Sequence, residues 1–303
     1  MIMTDIIIVG AGTAGLSAAI YALRAGKSVI VFEQLTYGGQ IINTPEVENY
    51  PGIKSISGFD FATGLYEQAT ALGAVIESAQ VEAVEDGAVK KVTAGGKVYE
   101  AKAVILATGA KNRPLGLERE EELTGSGVSY CATCDGAFYK NRAVAVSGGG
   151  NTALEDALFL SNYCSKVYLV HRRDAFRGEM KLAERLKEKE NVEFVLNANI
   201  VRILGEDEVA GVVVKDKISG EEKELAVEGL FIAIGQMPDN QAFSSIVKMD
   251  DKGYIIAGED CETGTPGIYA AGDCRTKTVR QLTTAAADGA VAALAACAYC
   301  ELA

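Results

Sequence analysis

Two cysteines separated by two residues are the clearest candidates for chemistry in this sequence. Residues 130–136 read Tyr-Cys-Ala-Thr-Cys-Asp-Gly, so the carboxylate of Asp135 directly follows Cys134. A Cys-x-x-Cys pair can close a small disulfide ring, and the motif can lower the pKa of one thiol. Asp135 can then supply or accept the proton that thiol chemistry requires. We therefore interpret Cys131 and Cys134 as a redox-active dithiol with Asp135 as its acid–base partner.

Two other interpretations of this pair are weaker. A structural zinc site needs a second pair of ligands, and the other Cys-x-x-Cys, Cys297 and Cys300, lies over 160 residues away in an alanine-rich helical tail. Cysteines three apart on such a helix share one face, which favours packing. Two merely buried cysteines would be expected among apolar neighbours rather than beside a carboxylate. We expect no metal site, and we assign no redox role to Cys164, Cys261 or Cys274.

The chain has a single histidine, His171, which limits imidazole-based catalysis and histidine metal sites. Its position at the end of a predicted strand relates it to a cofactor phosphate, although a histidine that only packs there is the alternative.

The elements that must position these residues form an internal repeat. Residues 6–33 and 144–171 each read as a strand, a glycine turn, a helix and a second strand. The turns are Gly10-x-Gly12-x-x-Gly15 and Gly148-x-Gly150-x-x-Ala153. In such a turn the backbone approaches a pyrophosphate, which lies at the positive end of the helix dipole. An isolated motif can be just a glycine-rich turn, but the strand–turn–helix context predicts two dinucleotide sites.

The ends of the two second strands distinguish the ligands. Glu33 can accept hydrogen bonds from ribose hydroxyls, which suits FAD or NAD(H) and repels a 2′-phosphate. The equivalent place in the second unit reads His171-Arg172-Arg173-Asp174-Ala175-Phe176-Arg177. Its three arginines can bind a phosphate, so we predict NADPH there, although a solvated charged loop is the alternative. Two dinucleotides in one chain are consistent with a flavin that accepts hydride from NADPH.

We predict an α/β fold with two Rossmann-like dinucleotide-binding domains of the three-layer ββα type, the second inserted into the first. Residues 1–113 and 240–303 form the predicted FAD-binding domain. Residues 114–239 form the predicted NADPH-binding domain, which carries the Cys-x-x-Cys because Cys134 lies only 14 residues before Gly148. Since the flavin belongs to the other domain, we predict a domain rotation between the two half-reactions.

The charge and the apolar stretches of the sequence limit which partners the protein binds and where in the cell it is expected. The chain of 303 residues has 41 acidic and 29 basic residues and a formal net charge of −12, which disfavours nucleic acid and anionic membranes. Residues 1–5 have no basic region, so the apolar run after them is interpreted as a first strand and not as a signal peptide. The apolar stretch 289–299 is about half of a ~20-residue membrane span. We predict a soluble, cytoplasmic protein.

Several motifs together resemble the low-molecular-weight thioredoxin reductases, and the resemblance covers essentially the whole chain. They are GAGTAG at 10–15, GGQ at 38–40, EVENYPG at 46–52, CATCDG at 131–136, GGGNTA at 148–153, HRRDAFR at 171–177, AAGD at 270–273 and Arg280-Gln281. The resemblance implies FAD in the first site and a homodimer. It also implies that Cys134 lies nearest the flavin, that Cys131 attacks the partner's disulfide, and that Asp135 protonates the leaving thiolate.

The candidate cofactor residues follow from the motifs and the resemblance. For FAD they are Gly10, Gly12, Ala14, Gly15, Glu33, Gln34, Gly38, Gly39, Gln40, Asn49, Thr108, Gly109, Gly272, Asp273, Arg280 and Gln281. For NADPH they are Gly148, Gly150, Asn151, Thr152, Ala153, His171, Arg172, Arg173, Arg177, Ile234 and Gly235.

The predicted function is NADPH-dependent reduction of a thioredoxin disulfide through FAD and the Cys131–Cys134 pair. One alternative is a reductase of another dithiol protein, or a ferredoxin-linked relative, although relatives of the latter kind lack the complete second nucleotide motif. Another is a flavin redox sensor without turnover. The family often has a basic residue before Gly-Val-Ser, whereas this chain reads Thr124-Gly125-Ser126-Gly127, so the identity of the partner stays open.

Overall fold

The computed structural model describes residues 3–44 and 46–302, so residues 1, 2, 45 and 303 of the predicted domains lie outside it. The chain forms two compact units. Unit 1 contains the residues up to Lys111 and those from Met237 onward, and unit 2 contains Asn112–Gln236. The second unit is therefore inserted into the first, as the predicted fold class requires. The chain passes between the units after Lys111 and after Gln236, slightly before the predicted boundaries at 113 and 239. Both positions lie inside short strands that pair with each other.

The first part of unit 1 alternates strands and helices. Its elements are β1 (Thr4–Val9), α1 (Thr13–Arg24), β2 (Val29–Glu33), α2 (Gly58–Ala71), β3 (Val75–Ser78), β4 (Val81–Glu85), β5 (Lys90–Ala94), β6 (Lys97–Leu106) and β7 (Ala110–Asn112). A short 3-10 helix covers Gly39–Asn43. Strands β1, β2, β3 and β6 pair in parallel, with Ile8 opposite both Val31 and Ile105. Residues 6–9 of β1 are all apolar and buried because a parallel strand is covered on both faces.

Unit 2 repeats this plan. Its elements are β8 (Val128–Ser129), α3 (Ala132–Asp135), β9 (Ala143–Ser147), α4 (Asn151–Leu160), β10 (Lys166–Val170), α5 (Met180–Lys187), β11 (Val192–Val195), β12 (Ala198–Leu204), β13 (Gly211–Asp216), β14 (Glu222–Leu225), β15 (Gly229–Ile232) and β16 (Gln236–Pro238). Its parallel sheet has the order β11-β10-β9-β15-β8, and β12, β13 and β14 form a separate antiparallel sheet. Strands β16 and β7 pair as a two-stranded sheet at the crossings.

The chain then completes unit 1 with β17 (Ile268–Ala270) and α6 (Leu282–Leu302). Strand β17 pairs in parallel with β6, placing Ala270 opposite Leu106. Helix α6 has 21 residues and is long and apolar enough, by length and composition alone, to cross a membrane. It is therefore longer than the apolar stretch 289–299, which is predicted to be about half of a membrane span. Its inner face, however, packs in the core with α1 and contains the buried Cys297 and Cys300. Packing within unit 1 accounts for part of this apolar composition, because 39% of the apolar window is buried, whereas Val291 and Leu294 are exposed.

Each unit has the three layers of the predicted ββα type. In unit 1 one core joins the parallel sheet to α1 and α6, and a second core on the opposite face contains Val84 and Val92 of the antiparallel strands. In unit 2 the equivalent cores contain Leu154 of α4 on one side and Val212 of β13 on the other. The carboxyl ends of the central strands therefore emerge together between layers, which is where parallel sheets bind ligands.

Candidate functional site

Cys131 and Cys134 form a disulfide at the start of α3, with their Cα atoms 5.3 Å apart. Cys131 is the N-cap residue of this short helix, and its carbonyl accepts the amide hydrogens of Cys134 and Asp135 at 3.2 and 3.1 Å. Both cysteines are half-buried. The structure therefore contains the predicted disulfide, in a place that a reacting thiol can reach.

Asp135 lies beside this disulfide in an environment that favours its protonated form. Its Oδ2 accepts a hydrogen bond from Ser129 Oγ at 2.6 Å, whereas its buried Oδ1 has no partner among the described residues. Burial raises the pKa of Asp135, and the hydrogen bond from Ser129 only partly opposes that rise. A carboxyl group with a raised pKa can hold a proton closer to neutral pH and release it to a thiolate.

The first glycine turn is shaped for a close-lying ligand. A Cβ on Gly10 would lie 2.4 Å from the carbonyl oxygen of Ala107, and one on Gly15 would lie 1.8 Å from that of Gly10. A Cβ on Gly12, in contrast, would meet nothing nearer than 4.0 Å. Gly12 is the N-cap of α1 and provides no side-chain cap, so the first amide groups of this helix are available to an anion. This cradle fits a pyrophosphate.

Glu33 ends β2 next to that turn. Its Oε2 accepts the amide hydrogen of Ala11 at 2.9 Å, and its Oε1 accepts that of Leu35 at 3.0 Å. These bonds fix the carboxylate, and each oxygen retains a lone pair for a ribose hydroxyl.

Further predicted FAD residues follow neighbouring strands at the same edge. Val9, Leu106 and Ala270 are in register, so the segments after β1, β6 and β17 begin side by side. These segments carry Gly10 to Gly15, Thr108 with Gly109, and Gly272 with Asp273. Asp273 is partly buried, burial raises its pKa, and its buried Oδ1 has no partner among the described residues. An orphaned buried oxygen at this edge fits a flavin hydroxyl group.

The remaining FAD candidates surround this edge. Gly38 pairs with Gly12 in a short bridge, and Gln40 donates to the carbonyl of Ala110. Asn49 Nδ2 donates to Gln281 Oε1 at 3.2 Å. The Arg280 guanidinium lies 4.2 Å from the centroid of the Tyr254 ring. Among the other candidates, Thr108 Oγ1 donates a hydrogen bond to Asn240 Oδ1 at 2.7 Å. Gly39 and Gly109 both have a φ of 67°, and Gln34 is exposed.

The second glycine turn shares the geometry of the first. A Cβ on Gly148 would lie 2.4 Å from the carbonyl oxygen of Ala233, whereas one on Gly150 would meet nothing within 4 Å. Ala153 is fully buried where the first turn has Gly15. Asn151 Oδ1 accepts the amide hydrogen of Glu179 at 2.8 Å, and Thr152 is exposed at the start of α4. Ile234 and Gly235 follow β15, whose Ile232 pairs with Ser147.

His171 and the three arginines form a positive region beside this turn. His171 is buried and stacks on Phe176, with ring centroids 5.5 Å apart, and its Nε2 has no partner among the described residues. Burial lowers the pKa of His171, and the nearby arginines lower it further. Arg172, Arg173 and Arg177 are exposed, and within residues 3–44 and 46–302 none of them forms an ion pair. Their guanidinium groups are therefore available to a phosphate.

Sequence reasoning missed residues that act through tertiary contacts. Ser129 binds Asp135, and the buried Glu120 accepts the Tyr130 hydroxyl hydrogen at 2.7 Å. In unit 1, Asp288 accepts hydrogen bonds from Arg275 and Lys277. The only available signal was an isolated acidic residue in the alanine-rich stretch of α6. The five cysteines outside the disulfide are buried thiols.

Comparison with known proteins agrees with this arrangement. A model of the pyridine nucleotide-disulphide oxidoreductase family matches residues 4–289. The thioredoxin reductase of Listeria monocytogenes is 45% identical over 98% of this chain and 94% of its own length, and that of Bacillus subtilis is 42% identical over 98% of this chain. The crystal structure of thioredoxin reductase from Streptococcus pyogenes superposes with a TM-score of 0.95 at 40% identity, covering 99% of both chains.

A second solved structure, the Lactococcus lactis thioredoxin reductase in its FR conformation, is 38% identical with a TM-score of 0.69, and covers 99% of this chain and all of its own. Two glycine turns that open helices, a carboxylate held by two backbone amides and a half-buried disulfide agree with these full-length similarities. The chain belongs to the pyridine nucleotide-disulphide oxidoreductase family and, within it, to the low-molecular-weight thioredoxin reductases.

Proposed function

We propose that this protein transfers electrons from NADPH, through FAD and the Cys131–Cys134 disulfide, to the disulfide of a thioredoxin-type protein. The observation that carries the proposal is the half-buried disulfide beside the partly buried carboxyl group of Asp135, whose pKa is raised by burial. A disulfide that served stability alone would need neither this proton donor nor two dinucleotide cradles.

FAD, when bound, supplies a two-electron carrier between a nicotinamide and a dithiol. In unit 1, the proposed pyrophosphate site is the turn Gly10, Gly12, Ala14 and Gly15, and Glu33 orients the ribose. Asp273 provides a polar contact for the flavin through its unpartnered oxygen. The other proposed contacts are Gln34, Gly38, Gly39, Gln40, Asn49, Thr108, Gly109, Gly272, Arg280 and Gln281.

NADPH is proposed to bind unit 2. Gly148, Gly150 and the amino end of α4 take the pyrophosphate, and the arginines at 172, 173 and 177 take the 2′-phosphate. His171 is held neutral by its lowered pKa, so its Nε2 can accept or donate one hydrogen bond without adding charge. The remaining proposed contacts are Asn151, Thr152, Ala153, Ile234 and Gly235.

The thiols are proposed to act in sequence. Cys134 receives the electrons, and the released Cys131 thiolate attacks the partner's disulfide, forming a mixed disulfide and expelling one partner thiolate. Asp135 gives that thiolate its proton. Cys134 then attacks Cys131, which releases the second partner thiol and restores the Cys131–Cys134 disulfide.

The partner proposed is a thioredoxin-type protein, by similarity to the relatives described above. The same similarity supports a cytoplasmic homodimer that binds neither nucleic acid nor membranes. The net charge of −12 is consistent with those last two points.

The variant Cys134→Ser tests the electron path. We expect NADPH to reduce the flavin of this variant at close to the normal rate, while thioredoxin reduction falls to background, because the intramolecular acceptor is gone. Stopped-flow flavin absorbance and a thioredoxin-coupled assay measure the two steps. Cys297→Ala, which removes a buried and unpaired thiol in α6, is the control and should leave both steps intact.

Retained thioredoxin turnover in Cys134→Ser would refute the relay. Turnover of the parent protein with a different dithiol protein, but with no thioredoxin, would replace the proposed partner. A flavin that NADPH reduces once, with no turnover on any dithiol acceptor, would instead support a redox sensor.

A further inference from the structure

Asp135 is partly buried, and its carboxyl group receives a hydrogen bond from one described side chain. That side chain is Ser129, whose hydroxyl donates to Asp135 Oδ2 at 2.6 Å. The same oxygen of Ser129 accepts the amide hydrogen of Cys131 at 3.1 Å. One hydroxyl group thus connects the residue that follows the redox motif to the backbone of its first cysteine.

Ser129 is itself firmly placed. It is the last residue of β8, pairs with Phe231 of β15, and is only 4% exposed. Its hydroxyl also makes a longer contact with the Cys131 carbonyl oxygen at 3.4 Å. None of these three hydrogen bonds involves a sulfur atom, so they can persist whether the disulfide is closed or open. The position of Asp135 is therefore tied to the sheet of unit 2 and not to the sulfur atoms that move during the reaction.

We propose that Ser129 is a positioning residue for the thiol chemistry, which holds the Asp135 carboxyl group and the Cys131 backbone in one fixed arrangement through both redox states. The inference rests on the proposed function, because it takes Asp135 as the proton donor. Ser129 touches neither substrate nor sulfur in this role and acts through Asp135.

Loss of the hydroxyl group has a predictable electrostatic sign. A hydrogen bond donated to a carboxylate stabilises its charged form, so Ser129→Ala leaves the burial of Asp135 unopposed. The pKa of Asp135 then rises further. Proton donation should extend to higher pH, while loss of orientation should slow the step roughly tenfold at its optimum.

The titration of Asp135 must be distinguished from that of the other titratable groups near it. Burial, and secondarily Asp135 itself, raises the pKa of Tyr139 to about 12, so that phenol stays neutral in the range of the test. Helix α4 packs against α3 and carries Glu155 and Asp156. Burial raises the pKa of Asp156 to about 7, so Asp156→Asn is needed as a background that removes this titration. The thiols of Cys131 and Cys134 also titrate once reduced, and they are common to all variants.

The experiment measures how fast the prereduced holoenzyme is oxidised by thioredoxin between pH 5 and 9. The variants are Ser129→Ala, Ser129→Thr, Asp135→Asn and Ser129→Ala with Asp135→Asn, each in the parent and the Asp156→Asn background. In the plot of oxidation rate against pH, Ser129→Ala should move the alkaline limb to higher pH. Ser129→Thr, which keeps the hydroxyl, should have the same profile as the parent. Asp135→Asn should abolish the limb, and adding Ser129→Ala should then change nothing more. Ser161→Ala, which removes another buried hydroxyl, should not move the profile.

The outcomes distinguish this inference from the proposed function. An unmoved limb in Ser129→Ala, with the limb lost in Asp135→Asn, overturns the role of Ser129 and leaves Asp135 as the donor. A limb that survives in Asp135→Asn removes Asp135 from the mechanism, and absence of thioredoxin reduction in the parent removes the proposed function. If Ser129→Ala does not fold, Ser129→Val, which has the shape of Ser129→Thr without its hydroxyl and favours a strand, takes its place. A shifted profile in Ser129→Thr would also contradict the inference.

Discussion

At the scale of single residues, unsatisfied polar atoms indicate where ligands and protons belong. Within residues 3–44 and 46–302, three buried side-chain atoms lack a partner: Asp135 Oδ1, His171 Nε2 and Asp273 Oδ1. Buried polar atoms without partners are costly, so each one needs an explanation. The proposed proton donor, NADPH site and flavin site supply one explanation each. The three atoms thus fall on residues that the sequence motifs had already assigned to chemistry.

The arginine cluster should determine which nicotinamide cofactor is used. Replacing Arg172, Arg173 and Arg177 by alanine should raise KM for NADPH about 10-fold to 100-fold, because hydrogen bonds to a charged group contribute roughly 1.5 to 3 kcal/mol. KM for NADH, which lacks the 2′-phosphate, should change much less. Steady-state kinetics with both cofactors measure the difference. Arg202→Ala, an exposed arginine paired with Glu222, is the control, and an equal rise for both cofactors would contradict the assignment.

A functional residue could be recognised from the sequence when the features that reveal it lie close to it along the chain. Cys131 and Cys134 were recognisable because their spacing is itself the chemical requirement. The glycines were recognisable because a strand and a helix flank them. Ser129 carries no such pattern, since its hydroxyl is meaningful only when Asp135 returns to it across the first turn of α3. Asp288 was invisible for a similar reason, because its partners Arg275 and Lys277 lie on a separate loop.

At the scale of elements, a buried ionic cluster attaches α6 to the loop that follows β17, which carries the proposed flavin contact Asp273. Asp288 accepts from Arg275 Nε and Nη2, both at 2.8 Å, and from Lys277 Nζ at 2.9 Å. It also accepts the amide hydrogen of Gly272 at 2.9 Å. The side chains of Arg275 and Lys277 are 1% and 6% exposed, so neither can turn to water if Asp288 is lost. Of its ion pairs in the described part of the chain, Arg275 would then keep only the longer one with Glu259, at 3.5 Å. The cluster therefore fixes the backbone immediately before Asp273.

Asp288→Ala should both destabilise unit 1 and weaken FAD binding. Breaking a buried ion pair from one side leaves its partner uncompensated and costs roughly 3 to 5 kcal/mol. Denaturant unfolding of the holoenzyme measures the stability, and reconstitution of apoprotein measures FAD affinity. Asp288→Asn, which can still accept from Gly272, should lose less of both. Glu301→Ala breaks an exposed pair with Lys27 and should cost at most about 1 kcal/mol; an equal cost for Asp288→Ala would contradict the role of the cluster.

The elements themselves were predictable in proportion to their length and periodicity. The apolar strands β1 and β9, with the helices after them, follow from the repeated pattern. Strand β8 has only two residues, too few for any periodicity, and α3 is a single turn. Both are set by pairing with β15 and by the packing of α3 on α4. The residues that hold Asp135 therefore depend on contacts that form only in the folded unit.

At the scale of the whole molecule, the proposed electron path has to pass from one unit to the other. The disulfide and the proposed NADPH residues belong to unit 2, and the proposed flavin residues belong to unit 1. The chain crosses between the units only through β7 and β16 in the described residues. Gly109 and Gly235, just before these strands, have φ of 67° and 108°, and a Cβ on either would meet nothing within 4 Å. Such positions can absorb a change in backbone angles, as hinges do.

Chemical cross-linking between the units should therefore stop repeated turnover. Exposed lysines are present in both, among them Lys54 and Lys91 in unit 1 and Lys181 and Lys187 in unit 2. We expect thioredoxin turnover of the holoenzyme to fall with the fraction of molecules linked between units, because one trapped arrangement can support only one half-reaction. A cross-linker with ester bonds that hydroxylamine cleaves allows activity to be recovered, and mass spectrometry identifies the joined lysines. Molecules linked only within one unit are the control and should keep their activity. Full turnover in molecules joined between units would mean that nicotinamide, flavin and disulfide react without rearrangement, and the proposed rotation would then be wrong.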